Sequence, residues 1–237
     1  MKLQRLLRNS ATLAFCFLSV NAFHVAQAGT ITFTNQQVDL SGGGFGNILQ
    51  ILAVQAQGNG TEESGSILRS GGVDVSSGDA TNQAQTISVA DLATKGITST
   101  DTFGLIFNIN EAVDTEVVLH DFSMTFTDDA GTALFGDITY SPPGGEITLD
   151  EVNGGQGGSG WLFRVNLTPA EETALFASST NRIGMYITTD NAIEMVSAGA
   201  EGFHVYRVPE PLTLPIVLTG LIAALPLRRR TRLRRGF

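Results

Sequence analysis

His120 and His204 are the two histidines between Gly29 and Arg207, and histidine is the commonest general base and metal ligand. Neither belongs to an H-x-x-x-H pair, and no G-x-S-x-G elbow supplies a nucleophile. Each therefore reads as a strand residue. Glu171 and Glu172 are neighbours on a short helical stretch. They point about 100° apart, which suits capping and solvent better than a glycosidase pair. Carboxylate chemistry of another kind fits better. Asp128, Asp129 and Asp137 border one turn, while Glu111, Asp114 and Glu116 crowd another loop. Hard oxygen ligands suit Ca²⁺, which extracellular modules bind weakly, at about 10⁻⁴–10⁻³ M. Asp128 and Asp129 are the candidate ligands for such a weak site, set against a plain solvated turn because no Asp-x-Asp-x-Asp-Gly loop surrounds them. No other cofactor is indicated. Sugar binding needs exposed aromatic platforms. Tyr140, beside "SPPGG", is the exposed candidate, whereas Trp161 alternates with Phe163 and Val165 and reads as core. "GGQGGSG" (154–160) lacks the lysine and the strand-to-helix setting of a phosphate loop, so it reads as a flexible connection. No catalytic residue is assigned, and the chain reads as non-enzymatic.

The elements that hold these residues are mostly short strands. "TITFT", "ILQILAVQA" (48–56) and "AQTISV" (84–89) come first. "FGLIFNIN" places Phe103, Leu105, Phe107 and Ile109 on one face, and "RIGMYIT" does the same with Ile183, Met185 and Ile187. In "VVLHDFSMTF", Val117 and Leu119 are in phase, but Phe122, Met124 and Phe126 are not. That slip predicts a bulge or bend at His120-Asp121. "TDDAGTALF" predicts a hairpin turn, "WLFRVNL" a strand and "FHVYR" a last strand. Two short helices are expected. One has Thr168 as N-cap, Pro169 at the first position and Glu171 closing a capping box. The other has Ser88 as cap, Asp91 in its first turn and Gly96 as stop. The expected fold is a mainly β, antiparallel β-sandwich with one or two short helices, plus a C-terminal transmembrane helix.

Charge is unevenly placed along the 237 residues. Residues 29–207 hold five basic against 22 acidic residues, a net charge of −17, while the whole chain carries −9. Such a body repels nucleic acid and attracts divalent cations. Lys2, Arg5 and Arg8 precede the apolar run "ATLAFCFLSV", and "AQA" follows at Ala26 and Ala28. This reads as a secretory signal over residues 1–28, exported by the Sec machinery and cleaved after Ala28. The one cysteine, Cys16, lies inside it. Phe15 is too large for a lipoprotein box, so the mature chain has no thiol and no disulfide.

The other end is "VPEPLTLPIVLTGLIAALPLRRRTRLRRGF". Residues 212–227 would span about 24 Å as a helix, against a bilayer core of about 30 Å. Six arginines follow: Arg228, Arg229, Arg230, Arg232, Arg234 and Arg235. Each costs about 2.5–3.5 kcal/mol at the bilayer centre, so the cluster stays cytoplasmic and the acidic body lies outside. Pro209-Glu210-Pro211 holds an extended segment just before the apolar run. These three parts in this order resemble the PEP-CTERM sorting signal. The resemblance covers about 30 residues at the chain end, with an extra Pro226 inside the apolar run. It implies an exosortase substrate of Gram-negative bacteria, recognised at Pro209, Glu210 and Pro211, with the tail then removed. It also implies anchoring in the inner membrane before processing, then release to a cell surface or matrix associated with exopolysaccharide. The expected organisation is a signal peptide (1–28), a secreted domain (29–207) and a sorting segment (208–237). A lectin-like module and, behind it, a secreted hydrolase are the other readings of the body.

Overall fold

The computed structural model describes residues 28–39, 48–56, 60–111, 115–150, 159–188, 192–196 and 199–208. Ala26, Asp114, the sorting residues 209–211, the apolar segment 212–227 and the six terminal arginines lie outside the described residues. So does most of the glycine-rich loop. The rest is mainly β, and every strand pairing is antiparallel.

One layer is a five-stranded sheet. Its order is β1 (Thr30–Asp39), β12 (Ser159–Asn166), β7 (Phe103–Ile109), β15 (Glu201–Arg207) and β2 (Leu49–Val54). The second layer has two parts. A six-stranded sheet runs β10 (Ile138–Tyr140), β9 (Phe122–Thr127), β13 (Arg182–Ile187), β4 (Gly65–Ser70) and β5 (Val73–Gly78), with β6 (Ile87–Ser88) beside β13. A four-stranded sheet runs β11 (Ile147–Asp150), β8 (Glu116–Leu119), β14 (Ile193–Glu194) and β3 (Glu62–Glu63). The two orders correspond strand for strand. Strands β3 and β8 of the small sheet lead directly into β4 and β9 of the large one. The break is a single residue, Ser64, between β3 and β4, and His120-Asp121 between β8 and β9. The predicted phase slip is therefore the point where the chain leaves one sheet and enters the other.

The layers meet through aromatic rings. Phe107, Phe163 and Phe203 come from the five-stranded sheet, and Phe122 and Tyr140 from the six-stranded one. Phe122 lies 4.7 Å from Phe203 and 5.3 Å from Phe163 between ring centres, and Tyr140 lies 5.0 Å from Phe163. This face-to-face packing is sandwich-like. Strand β7 is buried along its whole length. Its alternate residues Phe103, Leu105, Phe107 and Ile109 enter the main core, while Ile106 packs on the other side with Leu162 and Val208.

Local chemistry explains the connections. Strands β4 and β5 are joined at Gly71-Gly72, where φ is +57° and +81°, a two-residue turn that side chains with a Cβ adopt poorly. Helices α1 (Val89–Thr94) and α2 (Pro169–Phe176) both carry reciprocal capping boxes, Ser88 with Asp91 and Thr168 with Glu171. Thr168→Ala removes the acceptor for the Glu171 N–H and leaves that donor unpaired. An N-cap loss of this kind costs about 1 kcal/mol and lowers Tm by about 2–4 °C. Thermal melting by circular dichroism checks it.

Candidate functional site

Asp128 and Asp129 sit in the hairpin turn that the sequence predicts, and each carboxylate has its own partners. Asp128 Oδ1 accepts the Thr132 N–H at 2.8 Å, and this bond holds its pKa below the ordinary carboxylate value. Asp129 Oδ1 accepts from Arg69 Nη2 at 2.6 Å and from Arg182 Nε at 3.3 Å. Arg69 also bonds Asp74 through Nη1 at 3.0 Å. A cation at Asp129 would have to displace two guanidinium groups, so the turn is a charge-paired corner and not an open ligand set. Asp137 accepts the Tyr186 hydroxyl at 3.2 Å. Among the described residues, no three side chains of His, Cys, Asp or Glu gather in a metal-binding arrangement.

The histidines occupy structural positions. His120 stands in the break between β8 and β9. Its Nδ1 lies 3.1 Å from the Gly145 carbonyl and its Nε2 lies 3.0 Å from Glu194 Oε1. Both nitrogens face acceptors within the fold, so the ring ties β14 and the 141–146 turn to the break. His204 is buried on β15, and burial pushes its pKa down to about 4, because the imidazolium is disfavoured out of water. Glu171 and Glu172 act as caps. Glu171 accepts from Thr168 N at 2.8 Å and from Gly29 N at 3.2 Å, and Glu172 accepts from Thr100 N at 3.0 Å.

Tyr140 overturns the expectation of an exposed sugar platform. It is 4% exposed, with its ring against Phe122 at 5.2 Å and Phe163 at 5.0 Å. The alternation Ile138-x-Tyr140 faces the core, and the "SPPGG" turn begins only after it. A shallow groove of about 490 Å³ runs past its edge, lined by Thr32, Phe33, Pro142, Pro143 and Glu146. Trp161, expected in the core, is half-buried and packs against the core's margin, 5.8 Å from Phe33, and its Nε1 donates to the Asp150 carbonyl at 3.2 Å.

The most perturbed chemistry lies elsewhere, in residues that sequence reasoning left in a loop or passed over. Glu63, Glu111 and Glu201 are at most 1% exposed. They meet where β2, β7 and β15 end against β3. Glu201 pairs across the sheet with Val54. Two residues beyond Val54, the Ala56 N–H donates to Glu63 Oε1 at 2.8 Å. Glu111 follows the last residue of β7 by two. Glu63 Oε2 and both carboxyl oxygens of Glu201 are buried without a hydrogen-bond partner of good geometry. Burial pushes Glu63 up to about 7, against the bonds from Glu201 and Ala56 that favour its charge. Burial, the adjoining Glu63 and the charge of Glu111 push Glu201 up to about 10. Of the two, Glu201 is pushed further up and holds a proton the more readily.

No family model, curated protein or solved structure matches this chain. Function therefore rests on its own residues. Among the described residues, no helix is long and apolar enough to cross a membrane.

The buried acids were signalled in the sequence by phase. Glu111 continues the inward series Phe103, Leu105, Phe107, Ile109. Glu201 precedes Phe203 and Val205 in the same alternation, and Glu63 precedes Gly65 and Ile67. An acid on an inward-facing strand position is the pattern that marks them.

Proposed function

We propose that this is an exported, non-enzymatic protein of the cell surface or extracellular matrix, sorted by a PEP-CTERM-like tail and processed by an exosortase. The observation that carries the reading is the ordered run Pro209-Glu210-Pro211, the apolar segment 212–227 and the arginine cluster that follows. In this reading residues 212–227 form a short membrane helix with its arginines on the cytoplasmic side.

Two features of the body support it. Strand β15 lies inside the five-stranded sheet, between β7 and β2. Just after it, the Val208 N–H donates to the Thr102 carbonyl at 2.9 Å, and the Val208 side chain is buried against Ile106 and Leu162. The described domain is thus tied down as far as Val208, the residue next to Pro209. At the other end, Gly29 fits where a larger residue does not. A Cβ there would lie 2.5 Å from Ile138 Cδ1 and 2.9 Å from the Asn166 carbonyl oxygen. Cleavage after Ala28 would turn the Gly29 N–H into an ammonium facing Glu171, whose pKa is already lowered; its bonds to Thr168 and Gly29 outweigh the opposing effect of burial.

Mass spectrometry of both chain ends, in cells with and without an exosortase-like enzyme, tests the proposal. The expected mature chain begins at Gly29 in both, and loses its arginine tail only where the enzyme is present. Replacement of Pro209, Glu210 and Pro211 by alanine leaves the tail on and the protein in the inner membrane. An intact C-terminus in both strains would reduce the tail to a simple anchor.

A further inference from the structure

We propose that the outward face of the six-stranded sheet binds a neutral glycan chain, with the Tyr186 ring as its platform. Strand pairing sets one straight row across this face: Ser77 on β5, Ser66 on β4, Tyr186 on β13, Ser123 on β9 and Thr139 on β10. Each is the direct partner of the next, so all five side chains share one side of the sheet. It is the side away from the core, because the alternate residues Ile67, Met185 and Met124 lie within the core. The Ser66 and Ser77 hydroxyls lie 2.7 Å apart, and those of Ser123 and Thr139 lie 2.8 Å apart. The Tyr186 hydroxyl donates to Asp137, just before β10, at 3.2 Å. Its ring therefore reaches across β9, over Ser123, which is 5% exposed although it points outward. Such a ring lies along the sheet, with one face against it and the other turned out. Beside this row runs a second, Val75, Leu68, Gly184 and Thr125. Val75 is 47% exposed, and Gly184 leaves a dip beside Leu68. A groove of about 530 Å³ is lined by Ser66, Leu68, Ser77 and Tyr186 from these two rows.

The chemistry of the face selects the ligand. A pyranose carries hydroxyls around its edge and C–H groups on its faces. An aromatic ring packs on the C–H face, and hydroxyl side chains both donate to and accept from the edge. Here the two kinds of surface lie side by side. Neither row contains a charged residue, while residues 29–207 carry a net charge of −17. The field of such a body repels uronic acids and other anionic sugars and leaves a neutral chain unopposed. Asp137, at the edge of the ring, adds an acceptor for sugar hydroxyls. The row crosses five strands, about 19 Å at about 4.8 Å per spacing. A flat strip of that length suits a flat, extended chain with equatorial substituents, as in a β-1,4-linked glucan. The proposal stands on this face alone and does not depend on the export reading.

The full chain, kept in a detergent without a sugar headgroup, is run on native gels containing hydroxyethylcellulose and titrated with cellohexaose by calorimetry. Retarded migration and a saturable heat are expected. Tyr186→Ala weakens binding about fivefold or more, by loss of the stacking surface. Tyr186→Phe keeps the ring, loses the bond to Asp137 and stays within about threefold of the parent. Leu68→Gln, on the adjoining apolar row, also weakens binding. Both positions face outward, and an unchanged far-ultraviolet spectrum verifies each fold. Trp161→Phe, on the five-stranded sheet, leaves binding unchanged. A parent chain with neither retardation nor heat overturns the proposal. So does full binding by Tyr186→Ala or Leu68→Gln, or loss of binding by Trp161→Phe. Equal binding of alginate overturns the choice of a neutral chain. A dimer that Tyr186→Ala dissolves, with no response to either glucan, overturns the site in favour of a contact between copies.

Discussion

At pH 8, Glu201→Gln melts on the order of 10 °C above the parent protein. The sign follows from the two raised carboxyls. An unfolded glutamate titrates near 4.5, whereas in the fold Glu63 titrates at about 7 and Glu201 at about 10. Below pH 4.5 both states carry both protons, and the pair imposes no pH-dependent penalty. As pH rises, the unfolded chain releases its protons while the folded chain holds them, so stability falls, first through 7 and then toward 10. At pH 8 this penalty amounts to several kcal/mol, most of it at Glu201. The introduced amide cannot ionise, and its N–H can donate to the Glu63 carboxylate. The variant therefore loses most of the decline above neutral pH. The carboxyls of Asp74, Asp128 and Glu171 are shifted the other way. Their stabilisation is present above the usual carboxylate range and is lost as pH falls through it. The parent is thus most stable near about pH 5, with a decline on both sides. A series of melts across pH, for parent and variant, reads the result directly. A variant that melts below its parent at pH 8 would show that the Glu201 carboxyl is compensated by charge after all.

Much of the fold could be read from alternation and from turn chemistry. Phe103, Leu105, Phe107 and Ile109 enter the core together, as do Ile183, Met185 and Ile187. Both helices begin at their expected caps, because Ser88/Asp91 and Thr168/Glu171 satisfy the first free N–H groups locally. Order in the sheets was not legible. "FHVYR" reads as the last strand, and nothing local places it between β7 and β2. The slip at His120-Asp121 signals a local irregularity, but its meaning lies in the pairing: β8 before it belongs to the four-stranded sheet and β9 after it to the six-stranded one. Tyr140 was misplaced because a turn beside a residue says little about the direction of its side chain. Strand phase decides that, and it puts the ring inside. The acids failed for the opposite reason. Composition makes any single glutamate look like solvent-facing charge, and a burial pattern becomes visible only when Glu111 and Glu201 are read in register with the apolar residues beside them.

Phe122→Ala is expected to destabilise the protein by about 3–5 kcal/mol, the range for truncation of a buried aromatic ring. At about 2–4 °C per kcal/mol, Tm falls by on the order of 10 °C or more. Phe122 is 1% exposed and belongs to the six-stranded sheet, yet two of its ring neighbours, Phe163 and Phe203, belong to the facing layer. The third, Tyr140, comes from the adjoining strand β10. Removal of this ring separates both cross-layer pairs at once, and it leaves the Tyr140 ring without one face of its packing. The chain's one cysteine is Cys16, so no disulfide within residues 28–208 can hold the layers together in its place. Trp161→Ala makes the informative comparison. That ring is larger but half-buried, at the edge of β12 against Phe33, and it shares no partner with the facing sheet in these ring contacts. Its loss should cost about half as much or less, because a rim site relaxes and rehydrates where a central one leaves a cavity. Phe122→Leu, which keeps most of the apolar volume, should recover over half of the alanine deficit. If tryptophan truncation proved the more damaging, the layers would be held from their rim, and the cross-layer cluster of phenylalanines would not be the structural centre of the molecule.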